Sequence, residues 1–181
     1  MSIRLVDLSQ EIYQGMPVFP PHQKTMIFRN MTHEEAIEKL GFPFCTNNLL
    51  INEHGPTHSD AVYEYDPKGQ TIDKMPLEYF YGPAICLDLN TASLTINRGD
   101  IVLLYTGHYN RKYGTDEWLE RYTGLDYGGA KWLAEQGVVN IGIDAPAIDN
   151  PKDPKYSGHL VCQEYQITNT ENLCNLDQIA G

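Results

Sequence analysis

The sequence predicts an α+β fold: a strand-rich, barrel-like single domain over residues 1–181 with few helices. Three observations predict it. Apolar runs of strand length outnumber helical patterns, and the helical patterns do not alternate regularly with them. The 181 residues are 41% hydrophobic and 20% charged, which suits one globular unit with a real core.

In chain order, Ile3 to Leu8 reads as a short strand. Gly15, Pro17, Pro20 and Pro21 then impose an extended or turning segment, because proline fixes φ and disfavours helix before it. Ile27 to Met31 reads as a second strand. Thr32 to Leu40 has a capping threonine, early glutamates and a late lysine, the polarity of a short helix. Cys45 to Asn52 is strand-like and runs straight into a polar cluster, and Asp66 to Gly69 is a turn. Pro76 to Tyr79 suggests a helical turn. Ala84 to Leu89 and Asp100 to Tyr105 read as buried strands, and Trp118 to Tyr122 as a short helix. Gly128 to Gln136 reads as a helix stopped by Gly137, with a strand from Val138 to Ile143. The segment from Asp149 to Gly158 is loop by composition, Leu160 to Ile167 reads as a strand, and the following TNTEN as a polar turn.

The 24 acidic residues against 13 basic ones give a formal net charge of -11. Such a surface repels phosphate backbones and anionic head groups, so nucleic acid and membrane are not expected partners. Cys45, Cys86, Cys162 and Cys174 show no C-x-x-C spacing, and the N-terminal segment lacks the apolar core of a signal peptide. No apolar run spans a bilayer. A reduced, cytoplasmic protein is the expectation.

The chemistry concentrates at His54-Gly55-Pro56-Thr57-His58-Ser59-Asp60. Two imidazoles four residues apart with a carboxylate two further on form a compact set of nitrogen and oxygen donors. The preceding strand and the Gly-Pro pair argue against a helix here, and His58 and Asp60 share a side of any extended continuation. Imidazole with carboxylate suits Zn²⁺, Mn²⁺ or Fe²⁺. The alternative is an accidental pair of histidines on a solvated loop.

The stretch from His54 to Glu64 resembles the H-x-G-T-H-x-D-x-P-x-H signature of the cyclase family of metal-dependent hydrolases, which includes bacterial kynurenine formamidase and isatin hydrolase. Four further pieces resemble the same family in the same order. They are DLSQEIYQGMPVFP near the N-terminus, RGDIVLLYTGH, NIGIDAPAID, and His159 with the later Glu171-Asn172-Leu173. The resemblance implies a swivelling β/β/α fold, commonly a homodimer, and one or two divalent ions, Zn²⁺ or Mn²⁺. Carried over by position, His54, His58 and Asp60 hold the first ion, and Asp60 bridges to a second held by His159 and Glu171. Phe19 falls where the family lines its substrate pocket with an aromatic ring; plain core packing is the other reading. The implied reaction is hydrolysis of a small-molecule amide, formamide or lactam, with a lactone hydrolase or a non-catalytic metal- or ligand-binding relative as alternatives.

The sequence departs from the family at three positions in the signature. Pro56 stands in place of glycine, Val62 in place of proline, and Glu64 in place of the histidine that shuttles protons in the formamidase branch. A carboxylate can do that work if its pKa is raised in a dry pocket. It can also serve as an extra hard ligand or be a surface residue. Family members continue past E-N-L with another apolar stretch, whereas this sequence stops at Gly181, so that element is cut away or absent. Among the lesser candidates, Asp144 and Asp149 read as braces of their loop, and His108 as lining one. His22 and His33 carry no signal.

Overall fold

The computed structural model describes residues 3–20, 22–89 and 95–181; Pro21 of the turning segment lies outside them. Residues fall into two units, one made of Met1–Gln10 with Thr57–Gly181, the other of Glu11–Pro56.

The smaller unit is a β-ribbon. Strands β1 (Met26–Met31) and β2 (Thr46–Leu50) pair antiparallel from Met26↔Leu50 to Met31↔Thr46, with a bulge between Arg29 and Met31. Between them lies α1 (His33–Leu40). Its start is the capping arrangement that the threonine and glutamates anticipate: Glu35 N–H donates to the Thr32 hydroxyl, and Thr32 N–H donates to the Glu35 carboxylate.

The larger unit holds a five-stranded mixed sheet of order β3-β7-β6-β5-β4. These strands are β3 (His58–Ser59), β4 (Ala84–Asp88), β5 (Ile101–Tyr105), β6 (Asn140–Ile143) and β7 (Thr168–Glu171). The run from β4 to β7 is parallel, and β3 closes one end antiparallel to β7. Parallel neighbours need crossovers. Here α3 (His108–Lys112) and α4 (Tyr127–Glu135) connect β5 to β6, and α5 (Ser157–Tyr165) connects β6 to β7. The short α2 (Val62–Tyr65) follows β3. Alternate residues of β5 face opposite sides. Val102 and Leu104 join Ile141 and Ile143 under α4 and α5, whereas Ile101 and Leu103 join Cys86, Leu173 and Leu176. The chain is therefore α+β, strand-rich, with five α-helices among the described residues.

Several elements differ from the sequence reading. Ile3 to Leu8 forms no strand; its backbone is tied by a bond from Cys174 N–H to the Leu8 carbonyl at 3.0 Å and by one from the Asn175 side-chain amide to the Asp7 carbonyl at 2.8 Å. Trp118 to Tyr122 is a run of turns around the buried Trp118 rather than a helix. Pro76 to Tyr79 does close a helical turn, of 3₁₀ type over Leu77–Tyr79. Leu160 to Ile167 is mostly helix, not strand. Its apolar content suits either, but Ser157, Gly158, Val161 and Cys162 are buried at helical spacing. The first-turn N–H groups of Gly158 and His159 donate to Asp149, a carboxylate too far upstream to read as a cap. The "polar turn" TNTEN is instead β7, an interior strand. Thr168, Asn169 and Glu171 are buried because they are hydrogen-bonded inside the fold, as the Thr168 hydroxyl is to the Asp60 carbonyl and the Asn169 amide to the Asp60 carboxylate. Gly137 stops α4 as expected, in a left-handed conformation at φ 86°.

Gly124 ties the fold to the site. A Cβ there would stand 2.0 Å from the Asp149 carbonyl oxygen and 2.5 Å from Asn150 N, both backbone atoms. Gly124→Ala therefore destabilises by about 1–3 kcal/mol through overpacking. Thermal unfolding checks this, with an expected fall of about 2–4 °C per kcal/mol.

Candidate metal centre

Strand pairing builds the centre. His58 on β3 stands directly across from Glu171 on β7. Asp60, just past β3, donates its backbone N–H to the Asn169 carbonyl at 3.1 Å, which extends the pairing by one step. Alternation then places His58 with Asp60, and Asn169 with Glu171, on one side of the sheet edge. His159 comes from the first turn of α5.

Four of the side chains nominated from the sequence meet here. His58 Nε2 lies 3.2 Å from Asp60 Oδ1 and 3.9 Å from Glu171 Oε2. His159 Nε2 lies 3.4 Å from Asp60 Oδ2 and 3.5 Å from Glu171 Oε1. Asp60, His159 and Glu171 each offer a donor atom, and these atoms lie within 4.8 Å of one another. Asp60 and Glu171 are 3% and 4% exposed, so their charge must be answered inside the protein.

Of the other nominated residues, His54 and Phe19 belong to the smaller unit and Glu64 to the larger. The His54 ring is stacked on His22 at 5.3 Å. Phe19 is partly exposed, 6.1 Å ring to ring from His22. Glu64 is on α2 and exposed to solvent. His108 is not a loop-lining residue. It is buried at the start of α3, stacked on Trp118 at 5.0 Å, with Nε2 2.9 Å from the Trp118 carbonyl. Burial pushes its pKa below the usual histidine value.

Two residues gain roles that the sequence did not assign. Asp149 braces its loop as read, since Oδ1 accepts the N–H groups of Gly158 and His159. Its Oδ2 also meets His159 Nδ1. A protonated Nδ1 leaves the Nε2 lone pair facing Asp60 and Glu171, which is the tautomer a ligating histidine needs. Asn169 donates its side-chain amide to Asp60 Oδ2 at 2.7 Å and to Glu171 Oε1 at 3.0 Å. Polar residues alternating with β-branched threonines were the available signal for this strand. Asp144, in contrast, serves as a brace, accepting the N–H groups of Thr106 and Gly107 at 2.9 and 2.8 Å.

The electrostatics report a shortage of positive charge. Burial raises the Glu171 carboxyl to about 7; the neighbouring Asp60 adds to this, while His159 and His58 oppose it. At His159 burial disfavours the imidazolium, yet hydrogen bonds to Asp149 and Asp60 together with the charge of Glu171 outweigh it, and the pKa stands well above the usual value. Two buried carboxylates facing two imidazoles, one with its tautomer fixed, make a donor set that fits a borderline divalent cation.

The sequence profile of the Cyclase family matches residues 6–150. The chain belongs to this family. Among its relatives, the kynurenine formamidase of Erythrobacter litoralis is 26% identical over 175 residues, covering 94% of this chain and 79% of that protein. The kynurenine formamidase of Paracidovorax citrulli is 28% identical over 196 residues, covering 97% and 83%. Isatin hydrolase A from Labrenzia aggregata shares the fold at TM-score 0.82 and 22% identity, covering 98% of this chain and 84% of its own. A protein from Bacillus stearothermophilus described as a predicted metal-dependent hydrolase shares it at TM-score 0.75 and 22% identity, covering 97% and 85%. This Cyclase-family chain is an enzyme of hydrolase type, and its His/Asp/Glu cluster is suited to a divalent metal. Among its described residues no helix is long and apolar enough to cross a membrane.

Proposed function

We propose that this chain is a metal-dependent amide hydrolase of the kynurenine formamidase kind, acting on the C–N bond of a small formamide or cyclic amide. The observation that carries the reading is the convergence of His58, Asp60, His159 and Glu171 from β3, α5 and β7. His54, four residues before His58 in the chain, joins His58 and Asp60 as a ligand of one cation, Zn²⁺ or Mn²⁺. Asp60, His159 and Glu171 hold a second where two ions bind. A divalent cation held there supplies Lewis acidity, which yields a water-derived nucleophile near neutral pH and polarises a carbonyl.

The chain's own residues do the rest. Asp149 keeps His159 in its ligating tautomer. Glu64, exposed on α2, is the group proposed to carry the proton from the attacking water to the departing nitrogen. Phe19, near His22 and His54 in a row of rings, offers an aromatic face to a planar substrate. A swivelling β/β/α fold and a cytoplasmic homodimer belong to this proposal.

Metal analysis paired with a hydrolysis assay on N-formylkynurenine tests this. Turnover is expected to disappear on chelation and return with Zn²⁺ or Mn²⁺. A metal-replete protein that leaves N-formylkynurenine intact but opens a lactone would overturn the amide assignment, and one that turns over no member of an amide and lactone panel would overturn the enzymatic reading.

A further inference from the structure

We infer that Asn169 is a positioning residue, whose amide clamps the two ligand carboxylates into one arrangement before any cation arrives. The inference rests on the metal-centre reading above. It starts from a repulsion. Asp60 and Glu171 are buried side by side and both are acidic. Left to Coulomb's law, two such groups move apart or one takes a proton. Asn169 lies in the same strand as Glu171, two residues earlier, so the two side chains share a face of β7. Its Nδ2 carries two hydrogens and stands 2.7 Å from Asp60 Oδ2 and 3.0 Å from Glu171 Oε1, one for each carboxylate.

The orientation of the amide is forced. Flipping it would set its oxygen against two carboxylate oxygens, so the nitrogen must face them. The consequence is visible on the other side: Asn169 Oδ1 is buried without a hydrogen-bond partner among the described residues. A buried orphan acceptor is uncommon in a native fold and carries a cost. Here the cost is offset by serving two anions at once. The residue is 0% exposed, so solvent cannot substitute for it.

The clamp also distinguishes the two oxygens of each carboxylate. Glu171 Oε1 is already engaged by Asn169 and by the Ile148 N–H at 2.9 Å. Oε2 is the oxygen turned toward His58. On Asp60, Oδ2 takes the amide and Oδ1 faces His58. The main chain reinforces this, because the Asn169 carbonyl also holds the Asp60 N–H. One residue thus fixes the backbone and the side chain of one ligand and the side chain of the other.

The test is metal affinity, measured by competition with a chromogenic chelator on the whole chain, with Zn²⁺ and Mn²⁺ as separate probes. Asn169→Leu removes the donor at similar volume and is expected to weaken binding by about 10- to 100-fold, the range seen when an outer-shell partner is lost. Asn169→Asp keeps the shape but exchanges the two donors for further negative charge, and is expected to bind with different selectivity between the two metals. Both variants are compared with the parent by thermal unfolding without metal. Equal weakening of the fold with unchanged affinity in the folded fraction would mean Asn169 only packs the strand, and the inference fails. Should Asn169→Leu not fold, an unchanged affinity and selectivity in Asn169→Asp overturns it alone. A parent chain that binds neither metal defeats the underlying reading instead, so the two failures are distinct.

Discussion

Asp60→Ala is expected to yield a folded protein that retains almost no metal and has lost nearly all turnover. Asp60 is the point at which the centre is joined: His58 reaches it at 3.2 Å, His159 at 3.4 Å and the Asn169 amide at 2.7 Å. Removing it takes away a ligand shared by both proposed ion positions. The loss in metal affinity should exceed the roughly 100-fold that removal of an outer-shell partner brings. The fold itself has less to lose. Relieving the repulsion between two buried carboxylates offsets part of the cavity left by the side chain. Elemental analysis after dialysis, with kcat/KM on N-formylkynurenine, checks the prediction. A variant that keeps a full complement of metal and stays within tenfold of the parent activity would remove Asp60 from the centre.

The sequence made the first half of this centre legible because histidine and aspartate there are close along the chain. His58 and Asp60 share a face by strand alternation alone. The later half was visible only through resemblance. His159 and Glu171 lie 99 and 111 residues beyond Asp60 in the numbering, and only the parallel order of β6 and β7 beside β3 brings them back. The strand that carries Glu171 was misread for a physical reason. Hydropathy finds strands that bury apolar faces, whereas Thr168, Asn169 and Glu171 are buried because each is hydrogen-bonded within the fold or the site. The same error reached α5, where Leu160 to Ile167 has strand-like content but a helix is started by Asp149. At β7 and α5 the local pattern and the tertiary structure thus disagree in the two elements that carry Glu171 and His159. Thr32 makes the contrast: its capping box is wholly local, and it was readable as such.

The metal-free protein is expected to lose stability as pH rises from about 4.5 to above 7, and the metal to restore it most at the high end. The sign follows from two groups. Glu171 has its pKa raised by burial from 4.5 to about 7. A buried acid of this kind is protonated in the fold at a pH where the unfolded chain has already ionised. Its burial then becomes a growing penalty between those two values, on the order of 3 kcal/mol at full extent. His159 is raised as well, through its hydrogen bonds to Asp149 and Asp60 against the opposing effect of burial. A raised imidazole contributes stability that is fully present below its unfolded value of 6.5 and is lost as pH climbs through the folded one. Both groups leave the native state binding more protons than the unfolded chain, so both tilt the curve the same way. A cation replaces those protons. Its binding must release them, and its apparent affinity must therefore strengthen with pH. Thermal midpoints of chelated and metal-loaded protein at pH 5.5 and 8.0 check the argument, with calorimetry in buffers of different ionisation enthalpy counting the protons. The gap between the two forms should widen at pH 8.0, with more than one proton released per cation near neutrality. A chelated protein that grows more stable across that range would mean the buried carboxylates are already neutralised by something other than protons, and the centre would have no need of a metal.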